Sequence, residues 1–173
     1  MDEILRRIPP PRREASAAQS LVGGRADAFY YRLLERLGHH DLSADFVFLR
    51  ASQAIEANAK SAFPRCELGV RYWLFAKTGT GDGWLLRLDA PSQSEVAFVD
   101  HDEESRARPR PLPLDLRGWL QLADLFRQVE EQTERNPALL DRDYRLRRPH
   151  RAAVKAAIER LAPGLGTKYP LAL

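Results

Sequence analysis

Between Gly69 and Val99 the chain is a series of apolar, β-rich runs separated by turn chemistry. This stretch limits the fold more than any other. Gly69-Val70-Arg71-Tyr72-Trp73-Leu74-Phe75-Ala76 is apolar on both faces beyond Arg71, the pattern of a strand covered on two sides. Trp84-Leu85-Leu86-Arg87-Leu88-Asp89 alternates, with Trp84, Leu86 and Leu88 toward one side and Arg87 and Asp89 toward the other. Glu95-Val96-Ala97-Phe98-Val99 follows. The links, Thr78-Gly79-Thr80-Gly81-Asp82-Gly83 and Ala90-Pro91-Ser92-Gln93-Ser94, have turn composition. Three strands in an antiparallel meander are therefore expected.

Helices flank this sheet. Ala26, Phe29, Tyr30, Leu33 and Leu37 recur at helical spacing, so a helix is expected over Asp27–Leu37, with Gly38 just past its end. His39-His40-Asp41 reads as a loop, and no third ligand is placed to make it a metal site. Asp45–Leu49 is β-rich, whereas Ala51–Ala59 is open between helix and extended chain. Asp100–Pro113, polar and proline-rich, is expected as a surface loop. Asp115 is placed to cap a helix in which Leu116, Trp119, Leu120, Ala123, Phe126 and Val129 share a face. Its other face carries Arg127, Glu130, Glu131, Glu134 and Arg135, expected to be solvated, and Asn136-Pro137 ends it. A last helix after Pro149 lines up Val154, Ala157, Ile158 and Leu161 and stops at Pro163-Gly164. The pattern is an α+β fold, an antiparallel sheet meander with helices packed against it. Three regions are expected: an arm over 1–23, containing Pro9-Pro10-Pro11 and a short helical segment; a core over 24–135; and a basic helical extension over 136–173 packed on the same domain.

The 173 residues suit one domain. No apolar run approaches the roughly 20 residues of a membrane span, and the first residues lack the apolar stretch of a secretory signal. A cytoplasmic protein without membrane partners is expected. Cys66 is alone, which excludes an intramolecular disulfide and a cysteine metal site; it is read as a small buried apolar residue.

Three features could carry chemistry. Gly79-Thr80-Gly81-Asp82-Gly83 lacks the lysine and the following helix of a phosphate loop, and runs into a strand, so it is read as a hairpin turn. Asp100-His101-Asp102-Glu103-Glu104 ends a strand in an acidic cluster. Neighbouring strand residues point to opposite faces, so a solvated rim or a partner-binding rim is favoured over metal or acid–base work. No nucleophile elbow and no paired Cys and His appear, so no catalytic, cofactor or metal residue is assigned. Finally, only four of the 27 basic residues are lysine, and Arg142, Arg145, Arg147, Arg148 and Arg151 gather in the tail. Arginine suits carboxylate and phosphate. The acids that flank the run, and a net charge of only +3, make nucleic-acid binding the least favoured reading.

From Trp73 onward the order of features resembles the SUKH superfamily, named partly for yeast regulators of the Smi/Knr type. The resemblance rests on Trp73-Leu74-Phe75-Ala76, the Gly79–Gly83 turn with its aspartate, and Trp84–Asp89. It continues through Val96–Val99 with Asp100-His101-Asp102, and Leu116-Arg117-Gly118-Trp119-Leu120. It spans about residues 70–122. Ile8-Pro9 and Leu37-Gly38 replace motifs that family members often carry, and the tail lies outside the pattern. The resemblance implies a non-catalytic immunity protein that binds and neutralises a cognate bacterial toxin, with a regulatory scaffold or adaptor as the alternative. Asp82, Asp100, His101, Asp102, Glu103 and Glu104 are then the candidate partner-binding residues, while Trp73, Trp84 and Trp119 are expected in the core.

Overall fold

The computed structural model describes residues 22, 26–37, 40–60, 72–89, 94–101 and 109–170. Expectations for the proline arm, Gly38, His39, Cys66, the Pro91 turn and Asp102–Glu104 lie outside these residues. The described chain is an α+β fold. Its elements run α1 (Ala28–Leu37), β1 (His40–Ser43), β2 (Phe46–Phe48), α2 (Ala51–Lys60), β3 (Tyr72–Lys77), β4 (Gly83–Arg87), β5 (Glu95–Val99), β6 (Arg110–Asp115), α3 (Leu116–Arg135), α4 (Arg148–Leu161) and α5 (Leu165–Lys168), with a short 3-10 turn at Pro137–Leu139. The six strands form one sheet in chain order, each antiparallel to the next.

Two strands are found where loops were expected. β1 occupies part of the His39–Asp41 stretch: Asp41 pairs with Val47, and Leu42 and Ser43 are buried. β6 begins inside the expected Asp100–Pro113 loop and runs past its end. Leu112 and Leu114 are buried there while Arg110, Pro111 and Pro113 are exposed, the alternation of a strand with one wet face. Proline is tolerated because β6 is the sheet's last strand and needs a ladder on one side only. The open Ala51–Ala59 segment is helical. Its Asn58 is buried and replaces a strand: the side-chain amide donates to the Leu74 carbonyl at 2.8 Å and accepts the Leu74 N–H at 2.8 Å. A further bond runs to the Ala54 carbonyl at 2.7 Å. The β2–β3 ladder has ended by this point, and both backbone groups of Leu74 are satisfied by a side chain instead.

The core is aromatic. Trp119 of α3 meets the Phe75 ring edge-on at 4.9 Å, and Phe46, Phe48 and Trp84 surround it. Phe46 also stacks on Trp84 at 5.0 Å and on Phe126 at 5.5 Å. Two indoles find polar partners, as buried tryptophan usually does: Trp73 Nε1 donates to the Tyr30 hydroxyl at 2.7 Å, and Trp84 Nε1 to the Asp45 carbonyl at 2.9 Å. All three tryptophans are buried, as expected. The residues Tyr72–Ala76, Gly83–Leu86 and Val96–Val99 are buried without alternation, consistent with a sheet whose middle is covered on both faces. Asp115 caps α3, its carboxylate accepting the Gly118 N–H at 2.7 Å. Val154, Ile158 and Leu165 of the C-terminal helices join the same core.

Candidate functional site

The antiparallel order brings three chain segments to one end of the sheet: the β1–β2 turn at Ala44-Asp45, the β3–β4 turn at Thr78–Asp82, and the exit of β5 at Asp100-His101. The β3–β4 link is a hairpin turn, as expected. Gly81 has φ +107°, a backbone that disfavours side chains, and the Gly79 N–H donates to the Ala44 carbonyl at 2.7 Å, tying two of the turns together.

Asp82 organises this end. Its side chain is turned inward rather than offered to solvent, with 8 % of the residue's surface exposed. One carboxylate oxygen accepts the His101 N–H at 3.0 Å and faces His101 Nδ1 at 2.8 Å. The other accepts the hydroxyls of Thr78 at 3.2 Å and Thr80 at 3.1 Å. A carboxylate only accepts, so the Nδ1 position carries the proton. Burial acts to raise the Asp82 pKa, but the bonds from His101, Thr80 and Thr78 outweigh it and hold the carboxyl below its ordinary value.

Asp100 and His101 sit at the surface of this end, half-buried and exposed respectively. One ligand atom each from Asp82, Asp100 and His101 lies within 4.8 Å of the others. Strand alternation alone argues against that convergence; it happens because His101 lies past the end of β5 and folds back onto Asp82. A cation seated among them would compete with bonds that close the turn, since both Asp82 oxygens already hold two donors. The arrangement suits a rigid rim better than an exchangeable ligand set.

Two further carboxylates belong to this end and were not singled out from the sequence. Glu130 of α3, expected to be solvated, instead accepts the Ala44 N–H at 3.0 Å across 86 residues of chain. Burial, reinforced by the charge of Asp45, pushes its carboxyl above the ordinary range. Burial and the charge of Asp82 do the same to Asp45. Beside them Tyr169, stacked on Phe126 at 5.2 Å, has a buried hydroxyl without a hydrogen-bond partner among the described residues; burial and the charges of Asp45 and Glu130 push its pKa up. The only signal for Thr78 and Thr80 is their spacing of four and two before Asp82 in a glycine-rich turn.

The arginines of the tail lie elsewhere. Arg142, Arg145, Arg147 and Arg148 are exposed and Arg151 is half-buried, on a turn and the first residues of α4. Asp89, at the far end of β4 from Asp82, is bound by Arg87 at 2.8 and 2.9 Å and so takes no part in the acidic end. No helix among the described residues is long and apolar enough to cross a membrane. The chain matches no family model, no curated protein and no solved structure.

Proposed function

We propose that this chain is a non-catalytic binding protein of the SUKH immunity type, acting in the cytoplasm to neutralise a cognate bacterial toxin. The observation that carries the reading is the acidic end of the sheet. There Asp82 spends its charge internally to lock the Thr78–Asp82 turn to His101. Asp100 and His101 are thereby held at the surface near the partly buried carboxylates of Asp45 and Glu130. A rim fixed before binding loses little conformational freedom on association. Its acidic carboxylates favour a basic partner and speed the encounter. The resemblance over residues 70–122 supplies the kind of partner, a toxin encoded alongside.

The test is co-expression with the product of the adjacent gene. A stable complex and rescued growth are expected, with protection saturating at one equivalent, as for a binder without turnover. Asp100→Lys should weaken the complex by roughly ten-fold or more, mostly through slower association at low salt. A neighbour that is harmless, or that forms no complex, overturns the proposal. Protection by far less than one equivalent overturns its non-catalytic part.

A further inference from the structure

The segment from Leu140 to Arg151 is a built arm rather than a loose tail. Leu140 and Leu146 form an antiparallel bridge. Between them the Asp141 carboxylate accepts the N–H groups of Asp143 at 2.9 Å and Arg145 at 3.0 Å. The Asp141 N–H donates to the Arg145 carbonyl at 2.8 Å, and the Tyr144 N–H to the Asp141 carbonyl at 3.2 Å. Arg147 closes the base, its N–H donating to Leu139 at 2.9 Å and its Nε to the Leu140 carbonyl at 3.0 Å. These bonds hold Tyr144 at φ +58°, in the left-handed region that glycine and asparagine occupy more easily. The backbone is thus braced while the side chain stands in water: Tyr144 is 86 % exposed and is the one exposed large hydrophobic among the described residues.

The sequence on either side of Tyr144 is charged. Arg142, Arg145, Arg147, Arg148 and Arg151 stand against Asp141 and Asp143, and the carboxylate of Asp141 is turned onto the arm's own N–H groups. Helix α4 begins here with no side-chain cap and no acidic residue in its first turn, so its positive end adds to the arginines.

We infer that this arm binds single-stranded nucleic acid, with a base stacked on the Tyr144 ring and phosphates on the arginines. An exposed aromatic on a braced turn, flanked in sequence by arginines, is the pairing that such strands use. An acidic protein would also meet the arginines. It would find no second exposed large hydrophobic among the described residues, however, and so little apolar area to bury beside Tyr144. A base needs only one face of one ring. In a duplex those faces are already stacked.

The test is anisotropy of a labelled oligothymidylate of about twelve nucleotides at about 50 and 200 mM salt, with a duplex and polyglutamate as competitors. Binding that weakens with salt is expected. Arg145→Gln and Arg148→Gln should each lower the salt slope by about 0.7. Tyr144→Gly should cost roughly ten-fold in affinity while leaving the thermal midpoint unchanged or higher, because glycine relieves the left-handed backbone. Absence of binding at the lower salt, unchanged affinity in Tyr144→Gly, or displacement by polyglutamate or duplex as effective as by unlabelled oligothymidylate each overturns the inference. These residues are distinct from the acidic end, so either reading can fail while the other stands.

Discussion

Asn58→Ala is expected to be among the most damaging single changes in this chain. The side chain is buried and makes three hydrogen bonds, two of them to Leu74. Truncation leaves the Leu74 N–H and C=O without partners inside the fold. Each stranded buried peptide group costs about 1–3 kcal/mol. The Ala54 carbonyl keeps its place in the ladder of α2 and contributes little. The expected loss is therefore about 2–6 kcal/mol, a lowering of Tm by roughly 5–20 °C for a chain of this length. Asn58→Asp restores one acceptor but sets an oxygen against the Leu74 and Ala54 carbonyls, so it should be no milder. The assay is thermal and urea unfolding followed by tryptophan fluorescence, with exchange of the Leu74 amide as a local probe. Glu56→Ala, on the exposed side of the same helix, serves as the reference and should leave the midpoint in place. A loss below about 1 kcal/mol, or a Leu74 amide still protected in Asn58→Ala, would falsify the claim that Asn58 substitutes for a strand.

Three further outcomes follow from the same geometry. The Asp82 carboxyl is held below its unfolded value, so its contribution to stability is complete above the unfolded pKa and disappears as pH falls through the folded one; Asp82→Asn should flatten the acid limb of a Tm-against-pH curve, and an unchanged limb refutes the assignment. Asp45 and Glu130 are raised instead, so folding favours their protonated forms and stability should increase as pH falls from their folded toward their unfolded values. Glu130→Gln, which keeps an acceptor for the Ala44 N–H, should raise Tm at pH 7 and lose that advantage in acid. Gly83→Ala should cost about 1–3 kcal/mol, because its Cβ would lie 2.7 Å from Val99 Cγ1 and 2.8 Å from Leu74 Cδ1; unfolding titrations that coincide with those of the parent contradict it.

The strands around Trp84 and the cap at Asp115 were readable because each is written in near neighbours: Trp84, Leu85 and Leu86 form an apolar run between turns, and Asp115 lies three residues before the N–H it accepts. β6 was hidden because two prolines two residues apart read as a loop, although a sheet's outer strand tolerates them. β1 was hidden because its residues are polar and its pairing depends on β2. The site was less legible still. Asp82 was a candidate partner-binding residue, yet its carboxylate is turned inward by Thr78, Thr80 and His101, the last 19 residues away. Glu130 sits on what reads as the wet face of α3, and only the fold shows that the Ala44 turn reaches it. Such pairings follow from tertiary placement, which no local spacing encodes.

The outer strands also decide how this molecule can meet another. β6 carries Pro111 and Pro113, two residues apart, so its missing N–H groups fall along a single side. A paired strand accepts proline where that side faces away from the ladder. At the opposite margin β1 is four residues long, and its register breaks between Asp41 and Ser43. Neither margin offers the long row of donors and acceptors that templates a further strand. Among the described residues, both margins therefore resist strand addition, whether by a partner's tail or by a second copy beginning to aggregate. That favours contacts made by side chains over backbone pairing at these margins.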